Sequence, residues 1–125
     1  MPTNLWPNFD IGRAPRSPKT VIEEAGAGLD EKTNGTVRFW ALGTSMKDNN
    51  FQSSFSLYSP ALRYHYPFLR AKFALEPVYP VTISPDKMTE IVANDEKELI
   101  AALTKIFNAP STVETIQRLM SLGQE

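Results

Sequence analysis

The chain has 125 residues, a hydrophobic fraction of 42%, a charged fraction of 22% and a formal net charge of -1. That length fits one domain with one core, and the composition is that of a globular chain. A membrane span, a disulfide scaffold, a coiled coil and a collagen-like rod are excluded. No apolar run approaches the length a bilayer requires, and Cys is 0.

The charge balance narrows the partners. Lys and Arg total 13 against 14 for Asp and Glu, so the basic excess of a dedicated duplex-DNA binder is missing. Without cysteine there is no thiolate nucleophile and no Cys-ligated zinc. A single histidine, His65, excludes a multi-His metal site within one chain. No metal and no cofactor is expected, and no membrane partner. The N-terminal segment, broken by prolines and charges, does not read as a secretory signal; the expected location is the cytoplasm.

Residues 1–17 carry Pro2, Pro7, Pro15 and Gly12 and read as an irregular arm. Leu5, Trp6, Phe9 and Ile11 are large apolar groups for a free tail. Some of them are expected to dock on the domain or on a second chain, since burying a Trp offsets the ordering cost. Residues 18–125 read as a single α+β domain.

A helix is expected over residues 18–33. Ser17 can cap it and Pro18 suits its first position. Val21, Ile22, Ala25 and Leu29 form one apolar stripe. Gly26 and Gly28 weaken its middle, and Asn34 with Gly35 stops it in the left-handed conformation. Residues 36–44, TVRFWALGT, place large groups on both faces, which predicts a central strand covered on both sides. The DNN of residues 48–50 supplies a turn.

Residues 51–58 alternate as a half-buried antiparallel strand, with Phe51, Ser53, Phe55 and Leu57 on one face. Extended segments at 61–66 and 68–75 follow, with Pro67 marking an edge or a bend. Tyr79, Val81 and Ile83 form a further short strand, and MTEIVA at 88–93 a last one. Asp95 with Glu98 forms a capping box ahead of a helix running to about residue 108. Ser111 with Glu114 forms a second, ahead of a helix ending near Gly123. The expected architecture is α+β: an antiparallel sheet of about five strands, with an N-terminal helix and two C-terminal helices packed on one face.

Motifs for chemistry are sparse. A Ser-His-acid triad would need His65 beside one of Ser53, Ser54, Ser56 or Ser59 and an acid, and no G-x-S-x-G elbow is present. A strand histidine with a satisfied polar tip is the favoured reading. Gly26-Ala27-Gly28 lacks the third glycine of a dinucleotide fingerprint and lies inside a helix. The acid-x-Lys spacing of a metal-dependent nuclease occurs at Asp30-Glu31-Lys32 and Asp95-Glu96-Lys97, at helix ends where charges are ordinarily solvated. A small hydrolase or nuclease is therefore the least favoured class, and no catalytic residue is assigned.

The most informative stretch lies between Asp48 and Glu76, which holds no acid. Tyr58, Arg63, Tyr64, His65, Tyr66, Phe68, Arg70 and Lys72 fall within it and form the candidate binding set. Tyr and Arg are enriched at protein interfaces. Cations interleaved with rings also suit a single-stranded nucleic acid, although the neutral net charge disfavours it. Residues 86–98 are acidic, with Asp86, Glu90, Asp95, Glu96 and Glu98. Attraction between that segment and the basic strands predicts a homodimer. The expected function is a small non-catalytic protein-binding or regulatory module that self-associates.

Overall fold

The computed structural model describes residues 5–9 and 16–123. The elements run α1 (Pro18–Gly26), α2 (Leu29–Lys32), β1 (Arg38–Lys47), β2 (Asn50–Ser59), β3 (Tyr64–Ala74), β4 (Val81–Pro85), β5 (Ile91–Ala93), α3 (Glu96–Phe107) and α4 (Pro110–Gly123). All strand pairings are antiparallel, and the sheet order is β1-β2-β3-β4-β5. The helices lie on one face of this meander, as an α+β chain of this pattern requires.

Local signals explain most element ends. The Ser17 side chain accepts from the backbone N–H of Thr20 at 3.2 Å, and Pro18 opens α1. Asp95 accepts from the N–H of Glu98 at 2.8 Å. The Glu98 carboxylate reaches back to the N–H of Asn94 at 3.1 Å. Asn34 and Gly35 adopt φ of 54° and 80°, the left-handed stop expected of them. Thr33 then latches the start of the sheet. Its buried hydroxyl donates to the Val37 carbonyl at 2.8 Å and accepts from the Val37 N–H at 3.1 Å.

Several expectations change. The single helix over 18–33 is two, broken around Ala27 and Gly28. β1 is an edge strand with one uncovered face, not a central one. Val37 and Phe39 point to the helices, while Trp40 and Leu42 remain 44% and 50% exposed. β3 runs unbroken through Pro67, because a bulge lies there. The register steps from Phe55↔Leu69 to Ser56↔Pro67, leaving Phe68 as the extra residue. β4 begins to pair only at Leu69, so Pro67 removes no β4 ladder bond. β5 is confined to Ile91–Ala93, shorter than the 88–93 expected. α4 begins at Pro110, which puts Ser111 inside its first turn; Glu114 pairs with Arg118 instead of closing a capping box.

The core fills the space between one sheet face and the helices. Val37, Phe55, Leu57, Ala71, Val81 and Ile83 meet Val21, Ile22, Leu99, Leu103 and Ile106. At its centre Phe39 stacks on Phe55 at 5.4 Å and meets Phe68 and Phe107 edge-on at 6.2 and 5.6 Å. In the arm, Leu5, Trp6 and Phe9 are 88%, 76% and 71% exposed, so the expected docking on the domain does not bury them. Ile11 lies outside the described residues. No helix among the described residues is long and apolar enough to cross a membrane.

Candidate functional site: the open face of the sheet

Strand alternation decides which side chains leave the core. Because Phe39, Phe55 and Leu57 face the helices, their neighbours Trp40, Ser56 and Tyr58 face the other way. The register then aligns rows across the open face: Arg38, Tyr58 and His65; Trp40, Ser56 and Pro67; Ser54, Arg70 and Ser84; Gln52, Lys72 and Thr82.

The first two rows build an aromatic cluster. Tyr58 stacks on His65 at 4.3 Å between ring centroids and 26° between planes. Trp40 lies 5.4 Å from Tyr58 and 5.9 Å from His65, tilted to the first and edge-on to the second. Ser56, fully buried between these groups, has its hydroxyl 2.9 Å from His65 Nδ1. That contact fixes the imidazole and satisfies a hydroxyl that burial would otherwise penalise. Ser56 carries no exposed surface, so the pair orients a ring and presents no nucleophile to a ligand. Among the described residues no three of His, Cys, Asp and Glu converge on a metal position.

Charge on this face is one-sided. Arg38 Nε sits 3.6 Å from Asp30. Arg70 and Lys72 are exposed and make no ion pair among the described residues. Two acids border this face: Glu90 accepts from the Ser84 hydroxyl at 3.2 Å, and Asp86 lines one cleft with Arg70.

The residues singled out from the sequence divide between two sides. Tyr58, His65, Arg70 and Lys72 share the open face. Arg63 is in the β2–β3 turn with φ of 51°. Tyr64 and Tyr66 have the opposite parity and lie on the helix side. Phe68 is a core residue at 6% exposure and does not join the open face: the bulge turns it inward beside Leu69. Trp40 was not in the candidate set. The alternation of Val37, Phe39 and Ala41 with Arg38, Trp40 and Leu42 carries that signal, but large groups on both faces fit a covered strand equally well.

Tyr66 has a structural role. Its hydroxyl donates to the Asp86 carboxylate. Burial first, then the hydrogen bond to Asp86 and its charge, push the phenol from 10.0 up to about 12. A raised folded value means the phenol's contribution to stability is full below pH 10 and disappears as pH rises towards 12. Tyr66→Phe is therefore expected to flatten the loss of stability in that window. Urea midpoints at about pH 9 and about pH 11.5 would test this; parallel wild-type and variant profiles would show that the Tyr66–Asp86 bond is not formed.

No protein-family model, curated protein or solved structure matches this chain, so its function has to be read from its own residues.

Proposed function

We propose that this protein is a non-catalytic binding module whose working surface is the open sheet face and its β1 edge, and whose first partner there is a second copy of the chain. The carrying observation is the Trp40–Tyr58–His65 cluster, beside the edge of β1 that pairs with no strand among the described residues. Sheet edges are commonly protected by charges placed along them. β1 reads RFWALGTSMK, charged only at its first and last residues, with a bulge at Leu42 that divides its edge into two straight runs, Arg38–Ala41 and Gly43–Lys47. Leu42 and Met46 are 50% and 67% exposed along it. Antiparallel pairing of two β1 edges would continue the sheet and set two aromatic clusters on one surface. Such a module suits a cytoplasmic protein whose Cys count is 0.

The acidic segment supports this less than its sequence suggests. Asp95 caps α3, Glu98 holds Asn94, Glu96 lies 3.2 Å from Arg16, and Asp86 holds Tyr66. These acids have partners within the chain, so the edge and the rings, and not long-range charge, carry the self-association.

Light scattering during size exclusion is expected to show a dimer. Leu42→Lys, which adds a charge to the exposed edge, is expected to give a monomer. Trp40→Ala is expected to weaken the dimer by about 30-fold, the effect of losing ~2 kcal/mol at a hot spot. A wild-type protein that is monomeric at every concentration and salt would overturn the proposal.

A second reading is favoured by one feature, the placement of Arg70 and Lys72 on the same face as the rings. Single strands are held by such combinations. Anisotropy of labelled oligothymidylate and oligouridylate distinguishes it: salt-sensitive binding that Arg70→Ala with Lys72→Ala abolishes supports a nucleic-acid partner, and no binding at low salt removes it.

A further inference from the structure

On the opposite side of the sheet, between α1, α2 and α4, lies a cavity of about 270 Å³. Its walls are Leu29, Phe39, Leu57, Phe68, Phe107 and Ile116. The one hydroxyl in the lining, that of Thr112, already donates to the Ile106 carbonyl at 2.7 Å. Lys32 is the single charged residue of the lining, exposed at the rim and in no ion pair among the described residues. The neighbouring acid Asp30 is turned towards Arg38. Ala25 and Gly28, also exposed, complete the mouth.

Protein interiors are packed almost as tightly as organic crystals, and voids of this size are few. An apolar cavity of about 150 Å³ stays dry and accepts benzene. This one is larger and opens at one side, so a chain or ring longer than benzene can enter it. The five phenylalanine and leucine side chains in its wall offer no hydrogen bond, so a polar solute would be penalised there. A cation at the mouth favours an anionic head and provides a charge-assisted contact for it.

We propose that this cavity is a binding site for a small amphiphilic carboxylate, a medium-chain or aryl-substituted acid. The tail lies among Phe39, Phe68 and Phe107, and the carboxylate lies at Lys32. This site is separate from the open face and does not depend on the proposal made for it.

Octanoate, with 1-octanol as its uncharged counterpart, tests the assignment by isothermal titration calorimetry on the full chain at low salt. Octanoate is expected to bind one-to-one. Lys32→Gln is expected to weaken octanoate by about five- to tenfold and to leave octanol within about twofold. Gly28→Phe is expected to block both ligands without lowering the melting temperature of the free protein. A Cβ added at Gly28 meets nothing within 4 Å, so that variant is expected to fold. Absence of octanoate binding to the wild type would overturn the proposal. So would equal binding of octanoate to wild type and Lys32→Gln, or to wild type and Gly28→Phe.

Discussion

Phe55→Ala is expected to destabilise the protein by about 3–5 kcal/mol, the usual result of removing a buried phenylalanine ring. Phe55 is 1% exposed on β2, which pairs on both sides. Its ring lies 14° from parallel to Phe39, and through Phe39 it supports the contacts to Phe68 and Phe107. The cavity already present below these rings leaves fewer neighbours able to collapse into the vacated space. Against a total of about 5–15 kcal/mol for a domain, that loss brings the chain close to unfolding. Urea denaturation followed by circular dichroism would measure it. A change below about 1 kcal/mol would mean that the phenylalanine cluster is not packed as described.

Two alanine substitutions two residues apart are expected to have opposite signs. Alanine is favoured over glycine in a helix by about 1 kcal/mol, so propensity alone would make Gly26→Ala stabilising. At Gly26, however, the new Cβ would stand 2.1 Å from Phe39 Cδ1 and 2.3 Å from its Cγ. The Phe39 ring rests against Phe55, Phe68 and Phe107, and the clash includes its Cγ, an atom at the root of the ring that turning the ring does not move. α1 must lift off the sheet, and overpacking of that kind costs about 1–3 kcal/mol, which outweighs propensity. Gly28→Ala meets open space at φ of -74° and is expected to be neutral or stabilising by up to about 1 kcal/mol. Thermal melts of the two variants beside the wild type decide the matter. Equal shifts would show that α1 does not rest on Phe39.

The helices and most strands were legible because their signals are local. Ser17, Asp95 and Asn34 mark ends through their own hydrogen bonds and backbone angles, and the alternation of β2 is read directly from FQSSFSLY. Strand order is different, since no residue of TVRFWALGT states whether a neighbour lies beyond it. Large groups on both faces were read as coverage, whereas Trp40 is a surface ring. The site was legible in part for the same reason. The acid-free stretch was visible, but Tyr66 and His65 leave the strand on opposite sides, and only the register across β1, β2 and β3 brings Trp40, Tyr58 and His65 together. The bulge that sends both Phe68 and Leu69 inward shifts parity midway along β3, and simple alternation does not anticipate it. The weak point after α1 is legible in Gly26 and Gly28, while the need for glycine at Gly26, the Phe39 ring beneath it, lies thirteen positions along the chain.

Because each strand hydrogen-bonds only to those before and after it in sequence, every ladder closes over a short length of polypeptide. Loop-closure entropy is correspondingly small at each step, and hairpins can add one at a time outward from β2 and β3. β1 ends the sheet on its N-terminal side, so loss of that strand would open only the β1–β2 ladder and leave the ladders among β2, β3 and β4 closed.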